Sequence, residues 1–324
     1  MTHWPYSRLV LVSASILLAL TSGCGPAKKD GVPVTTTARD VAASLAVTPQ
    51  AKPQPEQPGG GKTHELVRAK RHMVAAANPL AAETGRQILR DGGSAVDAAI
   101  AAQMVLNLVE PQSSGIGGGG FMMLFAAESG EIATYDGREK APDGATPGMF
   151  LNADGKPKKF YDAVVGGQSV GVPGLLRMLE AAHKEHGKLP WAKLFDPAIR
   201  MAEEGFAVSE RLHTLIANDK YLKTFPSTAA YFHDASGAAL PVGHKLVNKP
   251  FAATLREIAK KGADAFYYGP IATDIAKTVR EATRNPGSMQ RVDVAGYQAV
   301  KRDPVCLFYR LWMVCGMPPP SSGG

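Results

Sequence analysis

The chain has 324 residues, of which 45% are hydrophobic, and a formal net charge of +7 at pH 7. This size and composition favour a globular body of one or two domains and exclude a fibrous or wholly disordered protein. The positive charge is concentrated near the N-terminus, because residues 25–72 hold 8 of the 36 Lys and Arg but only 4 of the 29 Asp and Glu. The rest of the chain is almost neutral, which argues against nucleic acid as a partner.

The first 24 residues have the features of a targeting segment. Arg8 precedes the apolar run Leu9–Leu20, which is too short to cross a bilayer comfortably and is typical of a signal peptide. Small residues follow and end at Cys24, so that the segment resembles a lipoprotein signal in which this cysteine is lipidated. We therefore expect a lipid anchor at Cys24 on the periplasmic side of the cell envelope, and at the outer membrane if the cell is Gram-negative. A plain signal segment is the alternative.

Residues 25–63 are rich in Pro, Ala, Thr, Gln, Lys and Gly and contain few large apolar residues. Such a composition cannot bury a core and predicts a disordered tether. The folded body is therefore expected to cover residues 64–324.

The body begins with a short strand and two helices. Met73–Ala77 predicts a strand of small residues, and Asn78 with Pro79 predicts the start of a helix that ends at Gly92. Ser94 and Asp97 have the spacing of a capping box, which opens a second helix that is apolar nearly all round and is expected to be buried.

A hairpin follows the second helix. Pro111 ends that helix, after which Phe121–Phe125 and Ile132–Asp136 have the composition of two strands joined by a turn. Further along, Asp196 precedes Pro197 and is expected to cap another helix with its carboxylate.

Four consecutive glycines, Gly117, Gly118, Gly119 and Gly120, lie between the second helix and the hairpin. Gly115 also belongs to a G-x-G-x-x-G pattern, but a dinucleotide site needs a strand before the glycines and a helix after them, and here the order is reversed. A phosphate-binding P-loop is excluded because Lys and Ser or Thr do not follow. The glycines therefore either permit a tight entry into a central strand or bring bare backbone close to a substrate, as a candidate active-site loop.

The remaining metal and redox signals are weak. His183, Glu185 and His186 are the nearest approach to a metal-binding pattern, but a solvated helix face explains them better, so neither a metal nor another cofactor is expected. Cys306 and Cys315 flank two apolar runs and either face each other as a disulfide or remain free buried thiols.

Several long motifs occur in an order typical of one family. They are VEPQSSGIGGGGFMM, YDGREKAP at 135–142, GGQSVGVPGLLRMLE at 166–180 and MPPPSSGG at 317–324. Together they resemble the γ-glutamyltranspeptidase family from about Lys70 to the last residue. This resemblance implies an α+β fold, the four-layer αββα fold of N-terminal-nucleophile hydrolases.

The resemblance also implies a reaction. Family members cleave γ-glutamyl amides such as glutathione and pass the γ-glutamyl group to water, an amino acid or a peptide. The nucleophile is a threonine at the N-terminus of a small subunit cut from the same precursor. By the family pattern we expect this threonine to lie beyond Gly324, so that this chain contributes no catalytic residue of its own.

One residue inherits a role from the family. In YDGREKAP, Arg138 matches the arginine that binds the α-carboxylate of the γ-glutamyl donor, and a planar guanidinium can hold a carboxylate through two parallel hydrogen bonds. Without the resemblance, Arg138 would be interpreted as a strand-end arginine paired with Asp136 or Glu139.

The position of Gly324 leads to further expectations. We expect this chain alone to be inactive and to expose apolar surface, either as a truncated piece of an ordinary enzyme or as a genuine short protein. A related glutaryl or cephalosporin-type acylase, and a non-catalytic γ-glutamyl-binding lipoprotein, are the alternative functions.

Overall fold

The computed structural model describes residues 66–322 of the chain. The predicted signal peptide with Cys24 and the predicted tether at 25–63 lie outside these residues, as does Gly324. Within the described part, no helix is both long enough and apolar enough to span a membrane.

Helices and strands are mixed along the described chain, in runs of one type, as in an α+β fold. The helices are α1 Pro79–Arg90, α2 Ala95–Val109, α3 Phe160–Val164, α4 Leu175–His186, α5 Asp196–Glu204, α6 Glu210–Asn218, α7 Pro226–Phe232, α8 Lys249–Lys261, α9 Asp264–Tyr267, α10 Pro270–Arg280 and α11 Arg291–Ala295. The strands are β1 Phe121–Ala126, β2 Glu131–Asp136, β3 Phe206–Ala207, β4 Lys245–Leu246, β5 Val300–Arg302, β6 Val305–Tyr309 and β7 Trp312–Gly316. Short 3₁₀ turns occupy Trp191–Leu194 and Leu222–Thr224.

The first two helices begin as their capping residues predict. The Asn78 side chain accepts a hydrogen bond from the Leu80 N–H, and α1 ends before Gly92, whose φ is +89°. Both hydrogen bonds of the Ser94–Asp97 capping box are present at the start of α2. Helix α2 is buried over most of its surface and packs against α1, α4 and α5, so it forms the centre of the core.

The predicted strand at residues 73–77 is wrong. The backbone there is not assigned to a strand and forms no ladder with another segment of the described chain. Val74 instead packs its side chain against α1, where a Cβ on Gly85 would lie 3.0 Å from Val74 Cγ1. The apolar composition therefore marks a packing contact with a helix and not a place in a sheet.

The predicted hairpin forms the main sheet. Strands β1 and β2 pair antiparallel from Phe121 opposite Asp136 to Ala126 opposite Glu131, and β5 pairs antiparallel with the other side of β2. The sheet order is β1-β2-β5, so β1 is an edge strand within the described residues and not the central strand that the glycine pattern suggested. A separate two-stranded sheet joins β3 and β4.

Helix α5 begins at Asp196 as predicted, but Asp196 does not cap it. Phe195 occupies the N-cap position and no side chain accepts a capping hydrogen bond there. The 3₁₀ turn Trp191–Leu194 leads directly into α5, which places Asp196 inside the first turn. In that position its negative charge interacts favourably with the positive end of the helix dipole, although its side chain caps no backbone N–H group.

Strands β6 and β7 form a hairpin closed by a disulfide between Cys306 and Cys315, which settles the open question about these cysteines. The two residues are directly opposite each other, with Cα atoms 4.1 Å apart. Most of the hairpin's large apolar side chains are exposed: Leu307, Phe308, Tyr309, Leu311, Trp312, Met313 and Val314. The expected exposed apolar surface is therefore present, and much of it lies here.

Candidate functional site

A cleft of ≈ 740 Å³ opens where α2, the glycine segment and α4 meet. Its wall includes residues 111–115 and 117–123 together with Arg138 and Glu139. Its apolar side is formed by Leu175, Met178 and Leu179 of α4. The structure thus brings two separate features of the sequence, the glycines and Arg138, to one cavity.

The four glycines of this cleft have different roles. A Cβ on Gly119 would lie 2.5 Å from the Gly137 carbonyl oxygen and 2.7 Å from the Glu139 backbone nitrogen, so this position excludes any larger residue. A Cβ on Gly117, by contrast, would meet no heavy atom within 4 Å. The Gly118 carbonyl accepts hydrogen bonds from the N–H groups of Gly174 and Leu175 at the start of α4. The segment is therefore tightly packed at Gly119 and open to the cleft at Gly117.

Arg138 lies just beyond β2, with its side chain 56% exposed. Its Nη1 atom lies 2.7 Å from Glu139 Oε2, so of the two acidic partners considered from sequence, Glu139 pairs with the guanidinium. Asp136 binds the backbone instead, because its Oδ1 accepts the Arg138 N–H at 2.8 Å. The guanidinium is thus available at the cleft and has one acidic partner that a ligand carboxylate would have to displace.

Tyr297 binds the other backbone polar group of Arg138. Its hydroxyl donates to the Arg138 carbonyl at 2.6 Å, and the residue is 5% exposed. Burial, together with the carboxylates of Asp136 and Glu139, raises the pKa of Tyr297 to about 12, while the Arg302 cation opposes this rise. The hydroxyl therefore stays protonated, and able to donate, at neutral pH.

Glu110 is a buried carboxylate beneath the cleft wall that the sequence did not reveal. It is 3% exposed and accepts hydrogen bonds from Asn78 Nδ2 at 3.2 Å and from Arg211 Nε at 3.1 Å. Its carbonyl accepts the N–H groups of Ser113 and Ser114. Glu110 therefore ties the start of the glycine segment to α1 and α6, and these partners are too distant in sequence to be recognised from a pattern.

The residues considered as a metal-binding pattern, His183, Glu185 and His186, lie outside the cleft lining. His186 Nε2 lies 2.8 Å from the Tyr135 hydroxyl, and His183 Nε2 lies 2.9 Å from the Leu189 carbonyl oxygen. Within residues 66–322, no group of three or more His, Cys, Asp or Glu is arranged to hold a metal ion.

Solved structures with this fold define the class of protein. The structure of Helicobacter pylori γ-glutamyltranspeptidase superposes with a TM-score of 0.75 at 35% identity, covering 80% of this chain and 73% of that one. A cephalosporin acylase from Bacillus halodurans superposes with a TM-score of 0.68 at 31% identity, covering 84% of this chain and 49% of that one. The fold is therefore the α+β fold of the N-terminal-nucleophile hydrolases, as the resemblance implied.

The sequence comparison is more specific. The γ-glutamyltranspeptidase family model matches residues 81–324. The glutathione hydrolase proenzyme of Bacillus subtilis is 39% identical over 285 residues, which cover 88% of this chain and 47% of the relative. The chain therefore belongs to the γ-glutamyltranspeptidase family, and it spans about half the length of this curated relative.

Proposed function

We propose that this chain provides the donor-binding part of an enzyme that hydrolyses γ-glutamyl amides, such as glutathione, or transfers their γ-glutamyl group to an amino acid or peptide. The observation that carries the proposal is the position of Arg138, whose exposed guanidinium lines the cleft beside the glycine segment. Family membership supports the reaction class. The nucleophilic threonine and the small subunit that carries it are part of the same proposal, by analogy with the family.

The chemistry of the cleft suits an amino-acid head group. The Arg138 guanidinium can receive the donor α-carboxylate in a two-point contact once the carboxylate displaces Glu139, and such charge-assisted pairs are short and directional. Fixing the head group leaves the γ-carbonyl to point along the cleft toward a nucleophile. This chain then supplies orientation, which is a large part of catalysis by proximity.

A related acylase is the second candidate, favoured by the similarity to the cephalosporin acylase structure. A glutaryl amide has a terminal carboxylate like a γ-glutamyl amide but lacks the α-ammonium group. Arg138 could bind both substrates, so the position of this residue does not separate them. Turnover of a γ-glutamyl anilide without turnover of the matching glutaryl anilide would support the transpeptidase, and the reverse would support the acylase.

The substitution Arg138→Lys tests the donor-binding role in the gene product that contains this chain. Lysine keeps the charge but loses the planar fork, so we expect KM for a γ-glutamyl anilide to rise at least 10-fold, with a smaller change in kcat. Arg284→Lys is the matched control, because Arg284 pairs with Asp162 in the same way but does not line the cleft. Equal KM values for Arg138→Lys and the unmodified enzyme would refute the assignment.

We also propose that the chain works outside the cytoplasm, anchored through Cys24. The disulfide between Cys306 and Cys315 supports this location, because such bonds persist in oxidising compartments. Replacing Cys24 with serine should move the protein from the membrane fraction to the soluble fraction of the cell envelope. Unchanged membrane association would contradict the anchor.

A further inference from the structure

The short segment from Asp136 to Lys140, which carries Arg138, is held in place by residues from distant parts of the chain. Asp136 Oδ1 accepts its N–H at 2.8 Å, and Asp136 Oδ2 is itself bound by Arg302 Nε at 2.8 Å. Two residues further on, Lys140 exchanges backbone hydrogen bonds with Val172, at 3.2 and 2.7 Å. The Arg138 carbonyl accepts a hydrogen bond from the Tyr297 hydroxyl at 2.6 Å.

Tyr297 is closely fitted into this position. It follows α11, and its own N–H donates to the Val294 carbonyl. A Cβ on Gly174 would lie 2.1 Å from the Tyr297 hydroxyl oxygen and 2.4 Å from the Gly137 carbonyl oxygen. The hydroxyl therefore fills the space between the start of α4 and the Arg138 peptide, and it can reach this space only because residue 174 is a glycine.

We propose that Tyr297 is a positioning residue for donor binding, whose hydroxyl fixes the peptide of Arg138 so that the guanidinium faces the cleft. This inference rests on the proposed function of Arg138. The guanidinium is 56% exposed and has one ion pair, with the neighbouring Glu139, so its direction depends mainly on the backbone that carries it. Displacement of a binding group by about 1 Å is enough to weaken catalysis about 100-fold in enzymes.

Tyr267 provides a matched control. Its ring stacks on that of Tyr297, with centroids 6.0 Å apart, and it is fully buried. Its hydroxyl donates to the Pro173 carbonyl at 3.0 Å and accepts the Arg177 N–H at 3.3 Å. Replacing either tyrosine with phenylalanine removes one buried hydroxyl from the same cluster, but only the change at 297 releases Arg138.

The first experiment measures kinetics with a γ-glutamyl anilide in the gene product that contains this chain. We expect Tyr297→Phe to raise KM about 10-fold with kcat changed less than about 2-fold, because the positioned group acts in binding the donor. Tyr267→Phe should leave KM within about 2-fold of the unmodified value. Equal effects of the two substitutions on KM would assign Tyr297 a merely structural role and overturn the proposal.

The second experiment measures hydrogen exchange, which does not depend on activity. In Tyr297→Phe, the amides from Arg138 to Lys140 should exchange about 5- to 10-fold faster, whereas Tyr267→Phe should accelerate exchange near Arg177 instead. Unchanged exchange at Arg138 in Tyr297→Phe would overturn the proposal by itself. If the unmodified enzyme did not turn over the anilide, the proposed function would fail, and faster exchange would still show that Tyr297 holds the Arg138 peptide.

Discussion

Replacing Gly119 with alanine is expected to destabilise the protein and disturb the cleft. The added Cβ would lie 2.5 Å from the Gly137 carbonyl oxygen, 2.7 Å from the Glu139 backbone nitrogen and 2.7 Å from Glu139 Oε2. Two of these atoms belong to backbone, so a rotation of one flexible side chain cannot relieve the overlap. The segment that carries Arg138 would have to move away from the glycine segment.

The size of the effect follows from this geometry. Ordinary Cβ contacts begin near 3.4 Å, so the closest pair must separate by roughly 0.9 Å. Inserting a methyl group into tightly packed structure costs about 1–3 kcal/mol. For a folded body of this size, a loss of about 2 kcal/mol lowers Tm by about 4–8 °C.

Gly117→Ala is the control for this prediction, because it adds the same methyl group two residues earlier where no heavy atom lies within 4 Å. We expect its Tm to stay within about 2 °C of the unmodified protein, since open-site substitutions change stability by about 0.5 kcal/mol or less. Thermal unfolding followed by circular dichroism measures both variants. Equal Tm values for the two variants would show that packing at Gly119 does not restrict this segment.

Three further predictions concern stability. Asp97→Ala should lower the free energy of unfolding in urea by about 3 kcal/mol, because Asp97 Oδ2 accepts three backbone N–H groups that would lose their partner; a loss below 1 kcal/mol would contradict this. Replacing Cys306 and Cys315 with serine should speed hydrogen exchange in β6 and β7 while leaving Tm nearly unchanged, because an isolated hairpin is only marginally stable, and slow exchange there would refute this. Burial raises the pKa of Tyr297 to about 12 in the folded protein, above the value of about 10 in an unfolded chain. The protonated hydroxyl therefore contributes its full stabilisation below pH 10. As pH rises from 10 to 12 the unfolded chain loses this proton first, and the free energy of unfolding falls by at most about 2–3 kcal/mol. Unfolding free energies of Tyr297→Phe and the unmodified protein that stay parallel over this range would contradict the shift.

The features that could be predicted from sequence are those set by near neighbours. Asn78 before Pro79, and Ser94 three residues before Asp97, determine helix starts through contacts within one turn, and both starts are confirmed. The hairpin of β1 and β2 is confirmed for the same reason, because its two strands follow each other directly in the chain. The strand predicted at 73–77 fails because a strand exists only beside a partner, and the composition of a segment does not show whether one is nearby.

The candidate site could be predicted only in part for the same reason. The glycines and Arg138 were found through their motifs, but Tyr297 is 159 residues from the carbonyl that it binds. Glu110 is 101 residues from Arg211. Such contacts depend on the packing of whole helices, so a single sequence contains no periodic signal for them. The cysteine pairing could be proposed but not decided, because it depends on strand register.

The hairpin of β6 and β7 has a consequence for how the chain behaves in water. Leu307, Val314, Tyr309 and Trp312 share one face, while Phe308 and Met313 share the other with the disulfide, so neither side of the ribbon is hydrophilic. No tilt of the ribbon against the body can shield both sides, and the disulfide prevents the strands from separating. In concentrated solution, copies of the chain should therefore associate through the roughly ten residues of this hairpin. The net charge of +7 does little to prevent this, because most of the charged residues lie outside the hairpin.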